Sequence, residues 1–182
     1  IRGDGRSMEF SIDPETHRAS KAKDGFNETL QQRGTEWLLT NEDDSVEVYD
    51  ETGRLQSIVQ RDGYTQTLNY VDGNLVSVTD SENRRIDLRY STEGMLVEVT
   101  STSGHSVGYR YNVYDALVSI RMPDGTPSHL DNPRVTYLYE DSRYLHALTG
   151  MVDEAGQRFG TWQYDEQMRA FFEHTEGQLA NR

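Results

Sequence analysis

No cysteine occurs in the 182 residues, so no disulfide framework holds this chain together. Proline is almost as scarce, with four, and three of them (Pro123, Pro127 and Pro133) fall in one short stretch. Apolar residues reach only 34%, which is low for a two-layer globule with a thick core. No apolar run approaches the ~20 residues that a membrane-spanning helix needs. No signal peptide is recognisable. Basic residues are outnumbered, 18 Lys and Arg against 31 Asp and Glu, for a net charge of −13. Nucleic acid and anionic membrane surfaces are therefore not expected as partners.

What is abundant is tyrosine, with 11, and it recurs in a fixed grammar. Ser45 to Gly63 shows the grammar best. Tyr49 closes an apolar run, Asp50-Glu51-Thr52-Gly53 makes a turn, Leu55, Ile58 and Val59 form the next run, and Asp62-Gly63 ends it. The same spacing, with apolar residues six and nine positions after a tyrosine, links Tyr49 to Leu55 and Ile58, Tyr90 to Leu96 and Val99, Tyr111 to Leu117 and Ile120, and Tyr139 to Leu145 and Leu148. Tyr70 has a turn one residue shorter and leads to Leu75 and Val78. Tyr164 leads to Ala170 and Glu173, a degenerate last unit. The anchors Tyr49, Tyr70, Tyr90 and Tyr111 are 21, 20 and 21 residues apart, and the next two intervals are 28 and 25. A unit of this length holds two strands of ~5–6 residues and two turns. It leaves no room for the crossover helix that parallel pairing needs, so each unit is expected to be a β-hairpin.

The rest of the chain fits this pattern. Met8, Phe10 and Ile12 alternate with polar residues as a half-buried strand, which Asp13-Pro14-Glu15 ends. His17 to Gly25 is polar and is expected to be a loop. Phe26 to Gln32 fits either a strand or one helical turn. Glu36 to Thr40 reads as a strand, followed by an acidic turn over Asn41 to Asp44. In the middle units Tyr64, Gln66, Leu68 and Tyr70 share one face. So do Ile86, Leu88 and Tyr90, then Val107, Tyr109 and Tyr111, then Val135, Tyr137 and Tyr139. The second strand of each hairpin is apolar on both sides, as at Leu75, Val76 and Val78, so the pattern does not choose its inner face. Asp72-Gly73 carries the type I′ hairpin signal, and Gly53, Gly94 and Gly125 are expected at positive φ. Residues 122–134 are an excursion rather than a strand. Asp165 to Phe172 is the one stretch that could be helical, and the repeat argues against it.

No catalytic, cofactor or metal site is expected. The five histidines, His17, His105, His129, His146 and His174, share no ligand spacing. The acidic turns Asp43-Asp44, Asp80-Ser81-Glu82-Asn83 and Asp131-Asn132 lack the calcium-loop spacing and read as turn caps. Ser103 and Ser106 lie near His105 without a nucleophile elbow, so Gly104-His105 reads as a hairpin tip. The structural anchors are Tyr49, Leu55, Tyr70, Leu75, Tyr90, Leu96, Tyr111, Leu117, Tyr139, Leu145 and Tyr164.

Tyr49-Asp50 with Gly53-Arg54-Leu55, repeated at this spacing, resembles the YD repeats of bacterial Rhs proteins. Two longer stretches are similar to Rhs shell segments. One is Trp37-Leu38-Leu39-Thr40 with Asp44-Ser45-Val46-Glu47. The other is His146-Ala147-Leu148-Thr149-Gly150 with Asp153-Glu154, Gly156, Arg158, Thr161-Trp162, Tyr164-Asp165 and Glu173-His174. The resemblance implies an all-β fold of antiparallel hairpin repeats in a curved single-layer sheet, part of a spiral β-cage like those of the Tc toxin C component and teneurins. It divides the chain into early shell strands over 1–44 and a YD-repeat sheet of about six hairpins over 45–182, as a piece of a larger protein. It implies a structural, non-enzymatic role. The cage would enclose a C-terminal toxin, such as a type VI secretion effector or another polymorphic toxin of interbacterial competition. Such a protein is made in the cytoplasm and then secreted or delivered. Implied partners are the remainder of the same polypeptide and the enclosed toxin, with secretion-spike proteins or chaperones acting through other parts. The family's self-cleavage motif is not matched, because Asp13-Pro14 is followed by Glu15-Thr16 and lies at the wrong end, so no protease activity is expected. The alternative is an extracellular module that binds glycans or a protein through its tyrosines.

Overall fold

A type I turn favours Asp, Asn or Ser at its first position and Gly at its fourth, and this chain uses that preference to reverse direction again and again. The fold is that of a computed structural model, which describes residues 8–16, 19–21, 27–125 and 132–175. At Asp50 the Gly53 amide donates to the Asp50 carbonyl (3.0 Å) and the Asp50 amide to the Arg54 carbonyl (2.9 Å). The carboxylate Oδ1 accepts from the amides of Thr52 (2.9 Å) and Arg54 (3.0 Å). Gly53 then takes φ 80°, as a turn closed by a one-residue bulge requires. The same bonds recur at Asp80, Asn112, Asp153 and Asp165. The positive-φ position is there filled by Asn83, Asp115, Gly156 and Met168. Asp72 and Gly73, at φ 49° and 86°, form the tighter two-residue turn, and Gly94 and Gly125 also have positive φ.

Between turns the chain is extended, and no helix occurs among the described residues. The chain groups into two compact units, 1–87 and 88–182. In the first, β1 (Phe10–Ile12) pairs antiparallel with β2 (Ala19–Lys21) as a separate ribbon. The expected loop over His17 to Gly25 is thus corrected, since part of it is strand. A two-stranded ribbon is held by main-chain bonds, which need no apolar side chains, so a polar run conceals it. The Phe26 to Gln32 stretch resolves to strand from Thr29 on. The sheet of this unit runs through β3 (Thr29–Arg33), β4 (Glu36–Thr40), β5 (Val46–Tyr49), β6 (Leu55–Val59), β7 (Thr65–Val71) and β8 (Asn74–Asp80) to the start of β9 (Arg85–Tyr90).

The second unit takes the end of β9 and continues with β10 (Leu96–Ser101), β11 (Ser106–Tyr111), β12 (Leu117–Arg121), β13 (Arg134–Leu138), β14 (Gly150–Val152), β15 (Arg158–Tyr164) and β16 (Ala170–Thr175). Among the described residues, strand order in the sheet is chain order from β3 to β16. Asp165 to Phe172, the helical alternative, is turn and then strand.

Neither unit has a thick core. Among the described residues only Leu39, Ala116 and Ala147 are buried apolar side chains, and the most buried side chain is Ser77, 1% exposed. The aromatic face is half-buried rather than covered, and Ile86 on it is 40% exposed. Main-chain ladders and turn chemistry therefore carry an unusual share of the stability. Gly53→Ala is expected to cost about 1–2 kcal/mol, because a Cβ at positive φ is strained. Met168→Gly, at an exposed position with φ 59°, is expected to stabilise the chain. Urea unfolding of the two variants checks both signs.

Candidate functional site

Four of the six anchor tyrosines stand where pairing slips. The register shifts by one residue between Val48 and Tyr49, Asn69 and Tyr70, Arg110 and Tyr111, and Gln163 and Tyr164. A bulge re-aims the side chain beside it. At Tyr70, Tyr111, Tyr139 and Tyr164 the hydroxyl points back to the preceding hairpin. Tyr70 donates to the Leu55 carbonyl (2.9 Å), Tyr111 to Leu96 (3.0 Å), Tyr139 to Leu117 (3.0 Å) and Tyr164 to Leu148 (2.9 Å). Two of these leucines also face the tyrosine of their own hairpin, Leu55 opposite Tyr49 and Leu117 opposite Tyr111, and Leu75 stands likewise opposite Tyr70. Leucine thus packs in one hairpin while its carbonyl ties in the next. Burial, then the neighbouring Tyr109, raises the Tyr111 phenol above its ordinary pKa; burial, then Tyr137 and Tyr164, does the same for Tyr139.

The remaining anchors take other positions. Tyr49 donates to Glu47 Oε2 in its own strand, and Asn41 Nδ2 donates to Glu47 Oε1 (3.0 Å). This accounts for a buried carboxylate where the other units have an apolar residue. Tyr90 ends β9 and Leu75 lies in β8. Leu145 is not brought to the ladder: it is 41% exposed in a turn, and Leu148 supplies the carbonyl instead. Tyr139 follows β13, and Tyr164 in β15 faces Ala170.

Charged side chains reinforce the ladder in ways that tyrosine spacing does not reveal. The Arg54 guanidinium lies 5.0 Å from the centroid of the Tyr70 ring, which gives the Gly53-Arg54-Leu55 motif a physical role. Asp80, whose side chain is 8% exposed, accepts from Tyr64 (2.9 Å) and Arg84 Nε (2.7 Å). Burial opposes its ionisation, but Arg84, Tyr64 and the turn amides prevail and lower its pKa to about 2. In the second unit the Arg158 guanidinium lies over Gly150, so a Cβ there would displace it. It donates to Glu140 Oε2 (2.9 Å), the Thr149 carbonyl (2.8 Å) and Thr161 Oγ1 (3.1 Å). Trp162 lies similarly against Gly160. The Thr149-Gly150, Arg158 and Thr161-Trp162 residues of the shell-like stretch are therefore one packing cluster. Its sequence signal is glycine inside a strand, which marks close approach by a neighbour.

No group of three or more potential metal ligands occurs among the described residues. Ser103 Oγ lies 2.7 Å from His105 Nδ1, but this exposed pair sits on a hairpin tip at Gly104, φ 83°, and no carboxylate orients the ring among the described residues. The Asp43 carboxylate caps Ser45. His17 and His129 lie outside the described residues.

Residues 49–85 and 90–127 match the RHS Repeat family model, and each match begins at an anchor tyrosine. Comparison with curated proteins gives no match. A chain in the crystal structure of TcdB2-TccC3-Cdc42 is similar in fold, with a TM-score of 0.52 and 14% identity. The similarity covers 79% of this chain and 9% of that one, so this chain spans under a tenth of its length.

Two measurements check the ladder. Tyr111→Phe is expected to lose about 1 kcal/mol in urea unfolding, as the Leu96 carbonyl loses its donor, while Tyr109→Phe stays within about 0.5 kcal/mol. A carboxyl with a lowered folded pKa stabilises above its unfolded value and loses that contribution as pH falls through the folded value. Stability is therefore expected to drop between about pH 4 and pH 2, with a shallower drop in Asp80→Asn, measured as urea midpoint against pH.

Proposed function

This chain is a YD-repeat protein of the Rhs type, and from that premise we propose that it is a piece of the wall of a hollow β-cage that encloses a toxin domain. The observation that carries the reading is the phenol-to-carbonyl bond between successive hairpins. It makes a wall that grows by addition of identical units. Among the described residues the strand order ends at β3 and β16, and each of these has a neighbour on one side only within the sheet. Unpaired edges recruit strands, and in the cage reading further repeats of the same polypeptide take those places.

The wall works by enclosure rather than chemistry. It keeps a folded or partly folded cargo away from the producing cell until delivery. Delivery as a type VI secretion effector, or as another secreted toxin of interbacterial competition, fits this role. The partners are then the rest of the chain's own polypeptide and the cargo. The wall reading is favoured over a glycan platform because the anchor hydroxyls are engaged within the sheet.

Limited proteolysis of the full-length polypeptide tests the proposal. The segment after the YD repeats is expected to resist protease, and to be cut rapidly once Tyr111→Ala and Tyr139→Ala loosen the wall. Rapid cutting in the unaltered protein, or electron micrographs showing an extended particle without a cavity, would overturn it.

A further inference from the structure

The polar face of the second unit gathers positive charge, against the acidic balance of the chain. Glu98, Gly108, Arg121 and Arg134 are successive cross-strand partners on β10, β11, β12 and β13. Gly108 has no side chain, so the Arg121 guanidinium lies flat on β11, with Nη2 2.9 Å from where a Cβ would stand. Arg110, two residues along the same face, and Arg89 on β9 complete the lining of a recess of about 360 Å³. Glu98 is the one carboxylate in that lining. It accepts from Arg89 Nη2 (3.0 Å) and Nε (3.2 Å) through Oε2, and from Arg121 Nη2 (3.0 Å) through Oε1.

Four guanidiniums around one carboxylate leave an excess of three positive charges. Glu98 and Arg121 are each only 23% exposed, so water screens them incompletely. Arg121 Nε is buried without an acceptor. Arg110 and Arg134 make no ion pair among the described residues. Like charges brought together in this way disfavour one another unless a counter-charge joins them. A single phosphoryl-type oxyanion brings charge of about −2 with three acceptor oxygens, whereas a carboxylate brings one charge, so the imbalance favours the former.

We propose that the Arg89, Arg110, Arg121 and Arg134 recess is a binding site for a phosphate-bearing small molecule. Arg121 and Arg89, held by Glu98, are the fixed part, and Arg110 and Arg134 close on the ligand as forks. The site lies wholly in the second unit and does not depend on the cage reading.

Calorimetric titration of the full chain with inorganic phosphate, pyrophosphate and a triglutamate peptide, in about 0.15 M sodium chloride, tests this. Pyrophosphate is expected to bind saturably with a dissociation constant below about 1 mM, and phosphate more weakly. Arg110→Gln with Arg134→Gln is expected to weaken pyrophosphate binding about tenfold or more. Both side chains are exposed, so the fold should persist, as circular dichroism will verify. Arg61→Gln, in the first unit, is the control and leaves binding unchanged. The proposal is overturned by an absence of saturable binding, by equal weakening in the control, or by triglutamate binding tighter than pyrophosphate, which would make this an acidic-peptide site.

Discussion

One hydrogen bond, from a tyrosine hydroxyl to the main-chain carbonyl of a leucine in the hairpin before, is the constraint on which this architecture depends. A sheet with almost no buried apolar side chains cannot rely on a core to keep hairpins in place. Main-chain ladders hold strands together but permit slippage where side chains specify little. The phenol supplies the missing specification. It has one partner at one distance, 2.9–3.0 Å in the four cases observed, and a hairpin displaced by a residue would lose it.

At Tyr111 and Tyr164 the turn and the tyrosine are coupled. Aspartate at the start of the turn caps two amides, which stabilises the residue of positive φ three places on. That residue closes the one-residue bulge, and the bulge turns the preceding tyrosine toward its acceptor. Tyr164-Asp165, and Tyr111-Asn112 with asparagine in place of aspartate, therefore act as single mechanical units, whereas Tyr70 and Tyr139 make the same hydroxyl bond without this turn. Where asparagine or serine replaces aspartate, at Asn112 and Ser91, the side-chain oxygen makes the same contacts, at 3.3 Å for the serine hydroxyl.

This coupling explains which parts of the fold could be read from residues alone. Turns and anchors were legible because each sits at a fixed offset from a residue with a strong local preference, so Asp50, Gly53 and Leu55 announce one another. Β2 was hidden because an exposed ribbon leaves no apolar mark. Leu145 misled because the insertion after Tyr139 moved the accepting carbonyl three residues on, to Leu148, while keeping a leucine at the expected spacing. The arginine recess was invisible for a different reason. Arg89, Glu98, Arg110, Arg121 and Arg134 are separated by 9 to 13 residues, and only the strand register makes them neighbours. Gly108 beneath Arg121 was its one linear trace.

Pairing that never skips a strand has a consequence for how such a chain is made and how it changes. Every contact in the ladder joins segments close in sequence, so contact order is low and each hairpin can form as it leaves the ribosome, docking on the one already in place. A genetic duplication or loss of one whole period leaves all other pairings intact. Length is then a freely adjustable property of such a chain, and the sheet can gain or lose whole periods over evolutionary time without redesign of any single hairpin.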